Sequence, residues 1–254
     1  MNVQNNIISI DKLETAPDKA IAAFKEFMSL SQTCYNDHSN LDPKRYANHS
    51  AQEIEKDTVQ ILEEVKPGTA FERSKIELKS GHFFPDIIAG NHYGVEVKTT
   101  KEDKWTSLGN SIFEGVSNSD IKNIYIMFGN LGCTPPQFRF RPYQDCLKNI
   151  AVTHSPRYMI DMEIADSGEM NIFQKMNTTY ESYKELPDID KVTLMRAHYL
   201  KQSKKGDFEM PWWMGETEGI TKLSFFSEAS AREKTEMISR ALILFPSLYH
   251  YRSD

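Results

Sequence analysis

The sequence has few cysteines, few glycines and prolines, and no long apolar run. Its three cysteines form no Cys-x-x-Cys pair, which argues against a disulfide framework or a zinc knuckle. Twelve glycines and eleven prolines in 254 residues exclude a collagen-like or low-complexity chain. Apolar runs such as residues 241–245 are far shorter than the ~20 residues that span a bilayer, and the chain does not start like a signal peptide. We therefore expect a folded, cytoplasmic protein with no membrane partner.

Basic charge is not in excess, because the formal net charge at pH 7 is −6. Such a balance argues against a protein that coats nucleic acid non-specifically. Basic residues do outnumber acidic ones within residues 72–157, which is compatible with a specific DNA site between acidic surfaces. The sequence also lacks a Ser-His-Asp constellation and a glycine-rich phosphate loop with its lysine, so competing enzyme classes have no support.

Hydrophobic periodicity predicts two helices in the first part of the chain. Apolar residues at helical spacing predict an amphipathic helix over residues 17–32, followed by a loop rich in Asn, Asp and His over residues 36–49. Ser50 and Glu53 have the spacing of a capping box, and an apolar stripe follows them. The second helix is therefore expected over residues 51–65.

From residue 69 onwards the apolar pattern changes to a period of about two, which is typical of strands. The turn residues Gly90-Asn91-His92 predict a β-hairpin. The successive elements are predicted as strands over 69–78, 85–89 and 93–100, a helix over 107–116 and a strand over 123–130. Weaker patterns predict strands over 137–143 and 158–164, and helices over 190–202 and after Ser230. The fold class is thus α/β or α+β, with a central mixed β-sheet flanked by helices.

The pattern Phe-Pro-Asp followed by Glu-Val-Lys on the next strand carries the predicted chemistry. Glu96 and Lys98 are two residues apart and share a strand face, while Val95 and Val97 point to the core. Asp86 begins the partner strand, so its carboxylate is expected across from Glu96. Two carboxylates and the backbone carbonyl of Val97 suit a Mg²⁺ ion that keeps several waters. An adjacent ammonium group then suits phosphodiester cleavage.

The surroundings of this pattern, more than the bare spacing, make it specific, since similar spacings recur elsewhere in the chain. Over residues 50–130 the sequence resembles the PD-(D/E)xK nuclease superfamily, and within it the type II restriction endonucleases. The resemblance implies a restriction-endonuclease-like αβββαβ core, with Asp86 and Glu96 as metal-binding acids and Lys98 as the catalytic lysine. Many members add an acid on the first core helix. Glu55 is the matching candidate here, with a solvated helix carboxylate as the alternative.

Eight further side chains are candidates for DNA contacts. They are Lys101, Lys104, Ser107, Asn110, Arg139, Arg141, Lys204 and Lys205. The first four follow the proposed catalytic lysine and suit either phosphate binding or an ordinary polar loop. The two arginines share a strand face and suit guanine edges or phosphates, or simply face solvent. The last two lysines belong to a charged run that resembles a phosphate-contacting loop or a solvated one.

The expected protein is a single domain over residues 1–254 that hydrolyses double-stranded DNA at a specific sequence with Mg²⁺. Residues 50–130 form the catalytic core, and residues 131–254 and the N-terminal helix supply recognition and dimerisation. The resemblance also suggests a homodimer and a cognate DNA methyltransferase in the same system, without a stable complex. Two alternatives stay open: a repair or junction-resolving nuclease, and a catalytically inactive DNA-binding protein whose acids are held in salt bridges, such as Asp86 with Lys98.

Overall fold

A computed structural model describes residues 8–13, 15–79, 81, 83–114, 120–152, 156–203 and 229–244. Contacts divide the chain into two compact units, residues 1–185 and residues 186–254. The first unit contains both β-sheets and the predicted site. None of the helices in the described part of the chain is long and apolar enough to cross a membrane.

Two long helices of the first unit, α2 (Pro17–Leu41) and α3 (Ala51–Val65), pack on one face of the main sheet. The shorter helices described in this unit are α1 (Ile10–Leu13), α4 (Ile164–Ser167), α5 (Ile172–Lys175), α6 (Tyr180–Lys184) and a 3₁₀ helix over Tyr143–Cys146. Aromatic rings fill the space beneath the long helices. Phe27 stacks on Phe71 with ring centroids 4.6 Å apart, and Phe24 contacts Tyr93 at 4.8 Å.

Helix α2 is longer than the sequence pattern predicts, because residues 36–41 are helical and the expected loop begins only after them. The polar residues in this stretch bind the sheet instead of forming a loop. The Asn36 amide donates to the backbone carbonyl of Phe138 at 2.9 Å, and the Ser39 hydroxyl donates to that of Pro136 at 2.6 Å. The prediction of a loop from residue 36 was therefore wrong, since composition alone does not reveal such tertiary partners.

Helix α3 has the bounds and the cap that the sequence predicts. The Ser50 backbone N–H donates to the Glu53 carboxylate at 2.7 Å, and the Glu53 N–H donates to the Ser50 hydroxyl at 3.3 Å. These two bonds satisfy donors that the first turn of a helix leaves unpaired. The apolar stripe is buried, with Ile54 and Leu62 fully inaccessible to solvent.

The main sheet has five strands and mixes parallel with antiparallel pairs, so the predicted fold class of a central mixed sheet flanked by helices is confirmed. Its strands are β1 (Ile76–Leu78), β2 (Ile87–Ala89), β3 (Tyr93–Thr100), β5 (Asn123–Asn130) and β6 (Gln137–Pro142). Their order across the sheet is β1-β2-β3-β5-β6. Strands β3 and β5 pair in parallel, and the other neighbours are antiparallel.

A second, antiparallel sheet contains three strands in the order β4-β8-β7. They are β4 (Thr106–Ser111), β7 (Leu147–Val152) and β8 (Pro156–Asp161). Strand β4 lies in the chain between the two parallel strands of the main sheet. The connection between β3 and β5 therefore contributes to the other sheet.

The helix predicted over residues 107–116 was wrong, because residues 106–111 form strand β4. The sequence Ser-Leu-Gly-Asn has weak helix propensity, since glycine, serine and asparagine all disfavour a helix interior. Gly109 also packs against β8, where an added Cβ would lie 3.1 Å from the Ile160 side chain. Residues 115–119 lie outside the described residues. In the described chain, the element between β3 and β5 is thus a strand and not the helix of an αβββαβ order.

The predicted strand over residues 69–78 was also too long, because only Ile76–Leu78 pairs in the sheet. The residues before it form hydrogen-bonded turns, such as Glu72 N–H to the Thr69 carbonyl at 3.1 Å. These turns bury Phe71 completely among the aromatic rings under α2. Burial of one ring therefore overrides the approximate alternation of this segment.

The described part of the second unit contains two helices, α7 (Asp188–Ser203) and α8 (Ala231–Leu244). Both agree with the predicted positions. The cap predicted for α8 is present, since the Ser230 N–H donates to the Glu233 carboxylate at 2.8 Å and the Glu233 N–H donates back to the Ser230 hydroxyl at 3.3 Å.

Candidate active site

The end of the β2–β3 ladder places Asp86 beside strand β3. The ladder ends at the pair Ile87–Val95, so the next N–H of β3 on the β2 side, that of Val97, has no backbone partner on β2. The Asp86 carboxylate takes this position, because its Oδ2 accepts a hydrogen bond from the Val97 N–H at 2.8 Å. A backbone bond thereby fixes the carboxylate across from the Glu-Val-Lys segment, as the hairpin prediction required.

Glu96 and Lys98 share one face of β3, and Val95 and Val97 are buried on the other face, as predicted. The Lys98 Nζ lies 2.6 Å from the Glu96 Oε1. Glu96 is 3% exposed, whereas Lys98 and Asp86 are only half-buried. The structure therefore brings two acids and one lysine together on the central strand of the main sheet, where the β2–β3 ladder ends.

The Glu96 carboxyl is only partly satisfied within the described protein. Its Oε2 is buried and has no hydrogen-bond partner among the described residues. Burial raises the pKa of Glu96 to about 7, with Lys98 lowering it and the nearby Asp86 carboxylate raising it further. A buried, unpartnered oxygen beside a second acid is a position where a cation fits, because a cation would offset both burial and repulsion.

Tyr143 supplies a second buried polar atom near this carboxyl, and the sequence reasoning missed it. Its hydroxyl is fully buried beside the backbone of Asn110. Burial raises the pKa of Tyr143 far above its ordinary value, with smaller contributions from neighbouring tyrosines and from the charge of Glu96. Tyr143 and Glu96 are therefore close enough to interact electrostatically. The sequence contains no local signal for this contact.

Glu55 projects from α3 towards the same group of charges. Burial raises its pKa, Asp86 raises it further, and Lys98 lowers it. The oxygens of Glu55, Asp86 and Glu96 do not all lie within 4.8 Å of one another. Glu55 is therefore close enough to interact electrostatically with Asp86 and Lys98, although the three acids do not form one group of ligand atoms.

Gly94 is a further positioning residue that the sequence analysis did not identify. A Cβ at this position would lie 2.2 Å from the Pro85 Cγ and 3.3 Å from the Ile121 Cγ2. The missing side chain therefore leaves room for the proline ring directly before Asp86. A glycine inside a strand often marks such a close approach, which was a readable signal.

The sheet register places the two candidate arginines on the same face as the catalytic candidates. Lys98 pairs with Phe128, and Phe128 pairs with Arg139, so Arg139 lies two strands away from the lysine, ~10 Å across the sheet. Arg141 is two residues along the same strand. Directly paired residues point to one side of a sheet, so all these side chains share a face.

Both arginines already contact other side chains. The Arg139 guanidinium lies 3.8 Å from the centre of the Trp105 ring. Arg141 binds the Asp166 carboxylate through two hydrogen bonds of 2.8 and 3.0 Å, and it also donates to the Gln32 side chain. The bidentate ion pair gives Arg141 a structural role that the sequence did not reveal.

The other candidate DNA contacts lie near β3 and β4 or outside the described chain. Lys101 and Lys104 are exposed, and Lys104 pairs with Glu102 at 2.5 Å. Ser107 and Asn110 are half-buried on β4. The remaining two candidates, Lys204 and Lys205, lie outside the described residues.

Two sequence comparisons give this site no independent assignment. No family model matches the chain, and no curated protein is significantly similar to it in sequence. The chemistry must therefore be argued from the side chains themselves. Hard carboxylate oxygens next to an ammonium suit a reaction in which negative charge develops on a phosphate group.

Proposed function

We propose that the protein is a Mg²⁺-dependent type II restriction endonuclease that hydrolyses phosphodiester bonds of double-stranded DNA at a specific sequence. The observation that carries the proposal is the meeting of Asp86, Glu96 and Lys98 at the end of the β2–β3 ladder. The resemblance to the PD-(D/E)xK superfamily supports it through the same residues. Glu55 contributes as an outer acid of the site.

The residues present fit a Mg²⁺ ion. Asp86 and Glu96 are hard oxygen donors, and the buried Glu96 Oε2 has no partner among the described residues. Asp86 and Glu96, together with the carbonyl of Val97, would hold the ion. When bound, Mg²⁺ neutralises charge on the phosphate and lowers the pKa of a coordinated water.

Lys98 has the chemistry of an electrostatic partner for the reacting phosphate. Its contact with Glu96 at 2.6 Å holds the half-buried ammonium on the same face of β3 as the two acids. There the ammonium orients an attacking water and stabilises charge that grows on the phosphate oxygens. Asp86, fixed by the Val97 N–H, keeps its carboxylate aligned with this group.

Sequence-specific cleavage of both DNA strands also implies partners. A palindromic DNA site has two-fold symmetry, so two symmetric active sites cut it best, and we propose a homodimer. The Arg139 and Arg141 face would approach the DNA, with Lys101, Lys104, Ser107 and Asn110 at its border. A DNA methyltransferase of the same system would protect host DNA without forming a stable complex.

Cleavage of phage DNA by the full-length protein tests this proposal. We expect discrete fragments with MgCl₂ and intact DNA with EDTA. Smearing, or a preference for branched DNA, would instead support a repair or junction-resolving nuclease. Intact DNA under both conditions would overturn catalysis by this site.

One observation favours a second candidate, a catalytically inactive DNA-binding protein on the same scaffold. Glu96 pairs with Lys98, and Asp86 accepts the Val97 N–H, so both acids have internal partners. The salt bridge differs from the expected pair of Asp86 with Lys98. Retained DNA binding, with no cleavage and no Mg²⁺-dependent change in melting temperature, would favour this candidate.

A further inference from the structure

A second group of metal-binding side chains lies between α2 and α3. Cys34 and His38 are four residues apart on α2, so they share one helix face, and Glu64 faces them from α3. Their ligand atoms all lie within 4.8 Å of one another. The His38 Nε2 is 3.9 Å from the Cys34 Sγ and 3.1 Å from the Glu64 Oε1.

These distances match the edges of a zinc tetrahedron. Ordinary bond lengths of zinc to sulfur, nitrogen and oxygen imply about 3.6 Å between the first two ligands and about 3.3 Å between the last two. The observed separations differ from these values by only a few tenths of an ångström. We propose that Cys34, His38 and Glu64 bind a Zn²⁺ ion between α2 and α3, with one coordination position open to water.

The orientation of His38 supports a metal ligand over a nucleophilic triad. Its Nε2 faces both Cys34 and Glu64, while its Nδ1 lies 3.4 Å from the hydroxyl of the buried Tyr46. In a nucleophilic triad the acid and the nucleophile contact different nitrogens of the imidazole. Metal-bound histidines, by contrast, use one nitrogen for the ion and the other for an outer hydrogen bond.

The surroundings leave room for the ion and a fourth ligand. The three side chains line a pocket of about 460 Å³, which Asp37 also lines. The fourth position of a tetrahedral ion would go to water, because the exposed Asp37 carboxylate lies outside the group of ligand atoms within 4.8 Å of one another. Sulfur, nitrogen and oxygen donors together select zinc over Mg²⁺, which prefers an all-oxygen shell.

This site is separate from the proposed nuclease site. Glu64 follows Glu55 by nine residues on α3, which corresponds to ~14 Å along the helix. An ion at Cys34 and Glu64 therefore does not share ligands with Asp86 and Glu96. We expect it to stabilise the packing of the two helices, without contributing to DNA cleavage.

Metal titration of the full-length protein tests the proposal, after a chelator has removed bound metal. We expect one zinc ion per chain and, with Co²⁺ as a spectroscopic substitute, a thiolate-to-cobalt charge-transfer band. Cys34→Ser should remove the band, and Glu64→Gln should weaken zinc binding by about 10- to 100-fold. The matched control is Cys133→Ser, since the Cys133 thiol donates a hydrogen bond to the Asp103 carboxylate and lies outside the cluster.

Three outcomes would overturn the zinc site. They are no zinc binding by the wild type, a charge-transfer band that persists in Cys34→Ser, and unchanged affinity in Glu64→Gln. The Glu64 side chain is 53% exposed, so this last variant should stay folded and remain informative. Glu96→Gln should keep the cobalt band, which separates failure of this proposal from failure of the nuclease proposal.

Discussion

At the scale of single residues, the proposed chemistry depends on Lys98 and on the charge of Asp86. We expect Lys98→Ala to lower the cleavage rate by about 10²- to 10³-fold, because the ammonium no longer stabilises charge on the phosphate. Asp86→Asn should have an effect at least as large, since it removes the negative charge of a proposed metal-binding carboxylate. It retains a side-chain oxygen that can accept the Val97 N–H, so folding should be nearly unchanged.

The measurement is the rate of DNA cleavage at saturating MgCl₂, with circular dichroism to check folding. Lys122→Ala is the control. Lys122 is exposed and directly precedes β5, where the β3–β5 ladder begins, whereas Lys98 lies further along the same ladder. Full activity in folded Lys98→Ala or folded Asp86→Asn would contradict the site assignment.

The raised pKa of Glu96 predicts that the stability of the fold depends on pH. Its pKa rises from an ordinary 4.5 to about 7, mainly through burial. Between pH 4.5 and 7 the folded protein keeps a proton on Glu96 that the unfolded chain releases. The free energy of unfolding therefore falls as pH rises through this range. The loss is on the order of 3 kcal/mol at most. We expect MgCl₂ to raise the melting temperature more at pH 8 than at pH 5, because Mg²⁺ replaces the missing proton.

Calorimetric melting at both pH values, with MgCl₂ or EDTA, measures this effect. Glu96→Gln has no titrating carboxyl and serves as the comparison. An equal Mg²⁺-induced shift in Glu96→Gln and in the wild type would show that the ion binds elsewhere.

At the scale of secondary-structure elements, the approach of Pro85 to β3 positions Asp86. We expect Gly94→Ala to destabilise the fold by ~1–3 kcal/mol and to reduce cleavage, because the new methyl group would overlap the proline ring. Pro85→Ala removes the Cγ that lies 2.2 Å from the added atom. In that background Gly94→Ala should cost much less.

Denaturant unfolding of the two single variants and the double variant measures this coupling. Additive effects of the two changes would mean that the proline ring does not restrict residue 94.

Local sequence patterns predicted the elements that carry a clear apolar period or cap. Strand β3 was predictable because its valines alternate with Glu96 and Lys98 along the sequence, although Glu96 is also buried, and α3 was predictable from its capping box. Strand β4 was not, since its partner β8 lies about fifty residues later in the chain. The salt bridge of Arg141 with Asp166 and the burial of Tyr143 also depend on such distant contacts.

The cluster of Cys34, His38 and Glu64 differs from these cases, because two of its three members have a spacing visible in the sequence. Cys34 and His38 have the spacing of two ligands on one helix face. Their significance became apparent only when α3 placed Glu64 opposite them. Pairing of ligands across two helices is set by packing, which a pattern along one helix does not report.

At the scale of the whole molecule, the proposed cleavage of a palindromic site requires two copies of the chain. We expect a mass in solution of twice the 29.3 kDa of one chain. Sedimentation equilibrium, with and without cleavable DNA, measures this mass. A monomer that still produces discrete double-strand breaks at a palindrome would contradict the expected homodimer.

The interleaving of the two sheets along the chain affects how far the protein can be shortened. Strand β4 leaves the main sheet between β3 and β5 and pairs with β8, which ends at Asp161. A fragment that stops after β5 would carry Asp86, Glu96 and Lys98. It would lack β8, so β4 would be left without the strand that pairs with it. Exposed edges of this kind promote intermolecular pairing. The smallest independently folding fragment that carries Asp86, Glu96 and Lys98 should therefore extend at least through β8, well beyond residues 50–130.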